Sequence, residues 1–383
     1  MATPSSPLLA VCDSIEAALG GGLAHVPADL PTGSVLSPGT ALVVATSGST
    51  GRPKYVELSR EAVLASAAGS AAAVGGSGAW LLGLPVDGMA GLNVVLRSIV
   101  AGYRPVAMGP GRYTSEAFLA AYAQLPAGVP AYLSVVPTQL RRLLDESDPL
   151  SRQCAEALAG LATVLIGGAM VDAGLMERAR AQGVTIVQTY GMAETCGGCV
   201  YDGRPLPGVS VAVSGDDGRV ELAGPVLASG YVGDGDKTDD DFIVRDGTRW
   251  FRAHDLGEFD HQNRLRILGR SDDVIISGGV NIVPQRVEAV IRELPQVRDA
   301  LVVPVLDAQW GQRAVALVIP SSEENSETLA EIVRAHVAQQ LRPDHAPRGL
   351  LVVERFPQLP SGKVDRVTAA ALAQAGQTYS STL

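Results

Sequence analysis

Thr46-Ser47-Gly48-Ser49-Thr50-Gly51-Arg52-Pro53-Lys54 follows directly on the apolar β-type run Ala41-Leu42-Val43-Val44-Ala45. Glycines let backbone N–H groups turn inward, hydroxyls add donors, and the lysine adds a point charge. Together these meet the requirements of a phosphate cradle. The P-loop spacing G-x-x-x-x-G-K-[ST] is not met, because Gly48, Gly51 and Lys54 are spaced differently and Tyr55 follows the lysine. The dinucleotide fingerprint G-x-G-x-x-G is not met either. A bare flexible Gly/Ser turn is the competing reading. The preceding strand, the stiffening Pro53 and Lys54 argue against it.

Outward from this loop, apolar strand-like runs alternate with amphipathic helical stretches. Residues 79–84, 131–136, 162–166 and 185–189 read as strands. Residues 91–101, a segment starting at Pro137 (a good first-turn residue) and residues 172–182 read as helices. Continuous apolar strands separated by helices predict an α/β fold with a sheet covered on both faces. Residues 1–40, rich in Pro and Gly, read as an irregular lead-in. Residues 209–267 read as a β-rich subdomain, with Asp234–Asp241 as a surface loop. After Gly269-Arg270-Ser271-Asp272 the pattern becomes a small α+β segment: helix 284–294, strands 300–304 and 314–319, helix 327–340 and strand 349–354. The expected division is a large N-terminal domain over 1–269 and a small C-terminal domain over 270–383.

A chain of 383 residues suits two domains. Hydrophobic residues at 46% and charged residues at 18% are a globular composition. The net charge of −10, with no basic run, disfavours a nucleic-acid partner. The N-terminal residues lack a basic signal-type region, and no apolar run is long enough for a bilayer. The expectation is therefore a cytoplasmic protein without a membrane partner. Four cysteines, Cys12, Cys154, Cys196 and Cys199, do not make a disulfide framework. Cys196-Gly197-Gly198-Cys199 is formally a C-x-x-C, but a second ligand pair is missing. A small-residue turn beside another site is preferred to a redox or zinc role.

Further segments follow in order: Gly167-Gly168-Ala169, Thr189-Tyr190-Gly191-Met192-Ala193-Glu194-Thr195, Trp250–Gly257, Gly269–Gly279 and Leu359-Pro360-Ser361-Gly362-Lys363. With the loop at 46–54 they resemble the motifs of the AMP-forming, adenylate-forming enzymes, which include acyl-CoA synthetases, peptide-synthetase adenylation domains and luciferases. The resemblance covers nearly the whole chain. It implies a large domain followed by a mobile C-terminal lid, and two half-reactions: carboxylate plus ATP gives acyl-AMP and pyrophosphate, then the thiol of coenzyme A takes the acyl group. It also implies roles. Thr46, Ser47, Gly48, Ser49, Thr50, Gly51 and Lys54 would hold the departing phosphates of ATP. Gly167, Gly168 and Ala169 would wall the adenine, with Thr189, Tyr190, Gly191 and Met192 completing the nucleotide site. Glu194 would hold Mg²⁺, a hard cation preferring carboxylate oxygen, and Thr195 would bond the α-phosphate. Asp255 would accept from the ribose hydroxyls, and Arg270 would bridge to ribose or phosphate. Asp272 matches the hinge, and Ser277, Gly278 and Gly279 match the loop beside the CoA channel. Lys363 would hold the attacking carboxylate beside the α-phosphate and stabilise negative charge in the transition state.

The loop is reached by residue 46, early for this family, which implies an N-terminally shortened member. Within the family the chain is most similar to the short o-succinylbenzoate–CoA ligases of actinobacterial menaquinone synthesis. The segments that carry this are Ala90-Gly91-Leu92, Leu96–Gly102 and Tyr190–Asp202. The resemblance makes Gly88, Arg97, Gly197, Gly198 and Val200 acid-pocket candidates. The two glycines would let an aromatic ring lie against the backbone. Arg97 could pair with a second substrate carboxylate or be an ordinary helix-surface arginine; the two readings stand level. Two positions depart from the family pattern. Gly88 stands where a gating histidine or aromatic is common, and Tyr55 stands where glycine commonly follows the lysine. A small-molecule carboxylic acid is the expected partner, with a homodimer left open. A CoA ligase for another aryl or short acyl acid, and a nucleotide-binding member without catalysis, are the alternatives.

Overall fold

The run Ala41–Ala45 becomes the buried middle of strand Thr40–Ser47, with Leu42, Val43 and Val44 at most 1% exposed. The strand returns antiparallel as Pro53–Ser59, with Thr46 opposite Lys54 and Ser47 opposite Pro53. The cradle sequence is therefore the connection of a β-hairpin. The computed structural model describes residues 7–47, 53–109, 113–171, 173–322, 325–358 and 364–380. Gly48, Ser49, Thr50, Gly51 and Lys363 lie outside the described residues. The chain forms two compact units. The first is Met1–Ala212 with Glu221–Ala253 and Phe259–Leu265; the second is Val213–Val220 with His254–Glu258 and Arg266–Leu383.

The first unit is built on a seven-stranded sheet in the order Val106–Ala107, Ala79–Leu82, Ala131–Val135, Thr163–Ile166, Ile186–Met192, Gly197–Tyr201, Arg204–Pro205. The first five strands are parallel and the last two antiparallel. Every residue of Ala79–Leu82 and Thr163–Ile166 is buried, so both pleat faces are covered. Helices Arg60–Ala73, Met89–Val100, Ser115–Tyr122, Pro137–Leu143, Ser151–Ala159 and Ala173–Ala181 lie between strands in the chain. Leu133, Val135, Leu140, Leu158, Val164, Ile166 and Leu175 form part of one continuous core. The α/β reading of the sequence is borne out.

In the second unit, strands Val297–Asp307 and Gly311–Pro320 make a long hairpin, and the other edge of Gly311–Pro320 takes Ile275–Ser277 at Gly311, with Val280–Ile282 beyond it, and Gly349–Val352 at Val315–Val318. Alternate residues feed two cores. Ala300, Val302, Ala314, Ala316 and Val318 join Val287, Ile291, Leu329 and Val333 from helices Pro284–Ile291 and Ser326–Gln340. Leu301, Val303, Val305, Val315 and Leu317 join Ala369 and Ala373 of helix Arg366–Ser380. Burying one Val or Leu is worth about 1.5–3 kcal/mol, more than the ~1 kcal/mol span of strand propensities. That margin keeps Ala300, Ala314 and Ala316, helix formers by nature, in strands.

Two sequence expectations are corrected. The lead-in over 1–40 contains helix Pro7–Leu19, whose Cys12, Ile15 and Ala18 are buried at a three-residue spacing. Packing of that stripe outweighs the Pro and Gly content that follows it. The surface loop Asp234–Asp241 contains helix Gly235–Asp241. The Asp234 side chain caps it by accepting from the Lys237 N–H at 3.1 Å, and Lys237 pairs with Asp241 one turn on at 2.7 Å.

Candidate active site

The hairpin register fixes Lys54 at the foot of the phosphate connection, opposite Thr46. Gly230–Tyr231 adds a third strand on the far side, pairing Tyr231 with Val56. The Lys54 ammonium consequently lies 5.7 Å from the centroid of the Tyr231 ring. Tyr55, unexplained by the motif, points its hydroxyl at the carbonyl of Asp29 at 2.7 Å and ties this hairpin to the segment before it.

The segment Gly167–Ala169, expected to wall the adenine, leaves the C-terminal end of strand Thr163–Ile166 beside strand Ile186–Met192. Open α/β sheets bind ligands at such strand ends. A Cβ on Gly167 would fall 2.4 Å from Thr189 Oγ1, so only glycine permits this approach. Thr189 in turn lies 3.2 Å from where a Gly198 Cβ would be, and the Tyr201 ring lies at the same distance. The contacts run on: Tyr201 Oη meets Ser70 Oγ at 2.8 Å and Arg97 Nη2 at 3.2 Å. Gly167, Thr189, Gly198, Tyr201 and Arg97 are thus one contiguous series. Tyr190, Gly191 and Met192 are half-buried on the same strand, and Val200, opposite Tyr190, is 1% exposed.

Arg97 is 8% exposed, which removes the helix-surface reading. Its guanidinium lies 5.2 Å from the Trp80 ring, its Nε is buried without a hydrogen-bond partner, and it has no carboxylate partner among the described residues. Gly88 caps helix Met89–Val100, and a Cβ there would meet nothing within 4 Å. Gly197 differs. A Cβ there would fall 2.0 Å from Asn93 Nδ2, so its missing side chain serves packing of helix Met89–Val100 against the turn. Asn93 Nδ2 and Ser66 Oγ both donate to the Cys196 carbonyl, at 2.9 and 3.0 Å. Cys196 and Cys199 are buried free thiols, and burial pushes both up, Cys199 to about 12. The small-residue turn is what the C-x-x-C forms.

Thr195 is 0% exposed; its hydroxyl accepts from the Met192 N–H at 3.0 Å and lies 2.8 Å from the Gly197 carbonyl. These contacts close the turn Ala193–Thr195 from within. Glu194 faces a polar cluster. The Tyr231 hydroxyl lies 2.9 Å from Glu194 Oε1 and 2.7 Å from Asp241 Oδ2, and Lys237 Nζ reaches that same Asp241 oxygen at 2.7 Å. Burial, foremost, raises the Glu194 carboxyl above its ordinary range. Its own backbone N–H, the Tyr231 hydroxyl and the Lys54 charge offset this only in part. No group of three or more His, Cys, Asp or Glu able to enclose a metal occurs among the described residues. A single hard carboxylate nevertheless suits Mg²⁺, which is held largely through substrate phosphates and water. Tyr231 and Asp241 were missed in the sequence; the four-residue Lys237–Asp241 spacing was the available signal.

In the second unit, Arg270 grips Asp272 with two bonds, Nε to Oδ1 at 2.9 Å and Nη2 to Oδ2 at 2.7 Å, and lies 3.6 Å from Asp255. Burial opposes ionisation of Asp272, but the Arg270 hydrogen bonds and charge hold its carboxyl below the usual range. Asp272 sits in the short turn Ser271–Asp273, and Ser271 Oγ donates to the His254 carbonyl. Gly278 and Gly279, with φ of 58° and 83°, form the two-residue turn between Ile275–Ser277 and Val280–Ile282. Both signs match a type I′ hairpin. Trp310 packs on this turn, 2.4 Å from where a Gly278 Cβ would be, whereas Gly279 faces open space. Ser277 is 5% exposed and its hydroxyl has no hydrogen-bond partner among the described residues.

The family described as "AMP-binding enzyme" matches residues 21–232, and "AMP-binding enzyme C-terminal domain" matches 286–363. A Mycobacterium tuberculosis protein named as a probable 2-succinylbenzoate–CoA ligase is 41% identical over 340 residues, covering 88% of this chain and 85% of that one. A 2-succinylbenzoate–CoA ligase of Listeria innocua is 32% identical over 343 residues, covering 85% and 69%. Among solved structures, o-succinylbenzoate CoA synthetase from Bacillus subtilis with its acyl-adenylate intermediate matches with a TM-score of 0.71 at 27% identity, over 86% of this chain and 69% of that one. An amide bond synthetase from Marinactinospora thermotolerans matches with a TM-score of 0.75 at 27% identity, over 87% and 69%.

Proposed function

The chain belongs to the family of AMP-binding enzymes, and from that premise we propose that it joins o-succinylbenzoate to coenzyme A using ATP, as a cytoplasmic step of menaquinone synthesis. In the first half-reaction a substrate carboxylate oxygen attacks the α-phosphorus of ATP. The bond to the bridging oxygen breaks, and pyrophosphate leaves with its electron pair. In the second, the CoA sulfur attacks the acyl carbon of acyl-AMP, AMP leaves, and the thiol proton passes to solvent.

The chain's residues take these roles in the reading. The hairpin connection from Thr46 to Lys54 holds the departing phosphates, and the Gly167–Ala169 and Thr189–Met192 strand ends hold the adenine. Asp255 takes the ribose hydroxyls once Arg270 is engaged by Asp272. Glu194 carries Mg²⁺, which when bound neutralises phosphate charge. Lys363 holds the attacking carboxylate, and the Ser277–Gly279 turn serves the thiol half-reaction after the lid, residues 270–383, rotates about Asp272.

One observation carries the choice of acid: the buried Arg97 guanidinium, continuous with the Gly167–Ala169 segment through Tyr201, Gly198 and Thr189, and without a carboxylate partner among the described residues. An unpaired buried charge costs several kcal/mol. A substrate bearing a second carboxylate supplies the missing partner. Purified protein given ATP, Mg²⁺, CoA and o-succinylbenzoate is expected to release AMP and form the thioester; no AMP release sinks the substrate assignment. The open space at Gly88 favours a second reading, a CoA ligase for a bulkier aryl acid. A carboxylate panel in a pyrophosphate-release assay separates the two by which acid gives the highest kcat/KM.

A further inference from the structure

Tyr231 presents one phenolic hydrogen to two carboxylates, Glu194 at 2.9 Å and Asp241 at 2.7 Å. Two ammonium groups flank its ring, Lys54 at 5.7 Å and Lys237 at 5.8 Å. The chain has 30 Lys plus Arg, and only Lys54, Lys237 and Lys363 are lysines. Two of the three therefore converge on this one ring. The ring itself is fixed. Its backbone pairs with Val56, its N–H donates to Thr238 Oγ1 at 3.0 Å, and Phe242 meets it edge-on at 6.0 Å. Asp241 is 4% exposed and held by Lys237 at 2.7 Å, so the outer end of the series is anchored to helix Gly235–Asp241. A tyrosine needed only for packing requires one acceptor at most. Here the hydroxyl joins the carboxylate beside the phosphate hairpin to an anchored acid and base pair.

We propose that Tyr231 is a positioning residue for Glu194, with Asp241 and Lys237 fixing the tyrosine hydroxyl in turn. This rests on the reading of Glu194 as the Mg²⁺ carboxylate. Groups that orient a metal-binding carboxylate govern metal affinity, and losing one costs about 10–100-fold. The hydroxyl's effect should therefore appear in the metal-dependent part of ATP binding and nowhere else.

Calorimetric titration of ATP into the full chain, once with Mg²⁺ and once with EDTA, reads that part directly and without turnover. The wild type is expected to bind more tightly with Mg²⁺, and Glu194→Gln to lose that gain. Tyr231→Phe keeps the ring and is expected to weaken Mg²⁺–ATP about tenfold, with binding in EDTA unchanged. Asp241→Asn is expected to lose part of the same gain, and the double variant to lose no more than Tyr231→Phe alone. If Tyr231→Phe does not fold, Asp241→Asn alone carries the test by the same selective loss. Equal weakening with Mg²⁺ and with EDTA, or additive losses in the double variant, overturns the proposal. If Glu194→Gln loses the gain while Tyr231→Phe keeps it, only this proposal falls. If Glu194→Gln keeps the gain, the metal reading of Glu194 falls and takes this proposal with it.

Discussion

Arg97 sits 8% exposed, with its Nε unbonded among the described residues, its Nη2 on the Tyr201 hydroxyl and its guanidinium beside the Trp80 ring. A charged hydrogen bond is worth about 1.5–3 kcal/mol, or roughly 10–150-fold in affinity. Arg97→Met is therefore expected to raise the KM for o-succinylbenzoate by about that factor. It should leave KM for a monocarboxylic benzoate unchanged. Stability should hold or rise, because a buried charge with no carboxylate partner among the described residues is exchanged for an apolar side chain of similar length. Steady-state kinetics with both acids and a urea melt decide it. A fall in stability with both KM values unchanged would make Arg97 structural. The arginine's role was undecidable in the sequence for a physical reason. Its partner Tyr201 lies 104 residues on in the chain, and helical periodicity alone did not tell which covered face Leu96–Gly102 would meet. Thr195 is a similar case: that its hydroxyl meets Met192 and Gly197 inside its own turn is seen only in the folded chain.

Elements whose apolar residues keep a clean period were legible. Helices read at 91–101, 172–182 and 327–340 appear as Met89–Val100, Ala173–Ala181 and Ser326–Gln340, and the strands read in the first unit appear within two residues of their expected starts. Helix Pro7–Leu19 was hidden because small residues, Cys12 and Ala18, carry much of its buried stripe. Helix Gly235–Asp241 was hidden because a cap and an ion pair, not an apolar face, stabilise it. The turn at Gly278–Gly279 was legible as glycine-rich but not as a hairpin, since its geometry depends on Trp310 from a distant strand end. That difference gives a prediction. Gly279→Ala meets nothing but pays the left-handed backbone cost of about 1–2 kcal/mol. Gly278→Ala bears the same cost and also drives a Cβ to 2.4 Å from the Trp310 ring. Urea melts should rank Gly278→Ala clearly below Gly279→Ala; equal losses would mean that Trp310 does not hold the turn.

At the scale of the molecule, the two units divide the proposed chemistry unequally. The first holds the phosphate hairpin, the adenine wall, Glu194 and Arg97, while the second holds Asp255, the Arg270–Asp272 clamp and the Gly278–Gly279 turn. Motif order made both sets legible; that the second unit also takes in Val213–Val220 and His254–Glu258, the latter from within strand Thr248–Phe259, is seen only in the folded chain. Lys363 is assigned to adenylation and the glycine turn to thioester formation, so one unit is asked to serve two steps with different residues. Sequential use of the two follows, and it separates the half-reactions experimentally. Lys363→Ala is expected to slow adenylate formation by about 10²–10³-fold, the usual loss of one group stabilising transition-state charge. Thioester formation from supplied acyl-AMP should stay near the wild-type rate. Gly279→Leu, placed where the turn faces open space, is expected to do the reverse, slowing thiol attack while pyrophosphate release persists. Single-turnover measurement of each half-reaction checks both, with a melt to confirm that Gly279→Leu remains folded. Equal loss of both steps in Lys363→Ala contradicts the sequential account, because a lysine needed only for the first step cannot slow a reaction that begins after it.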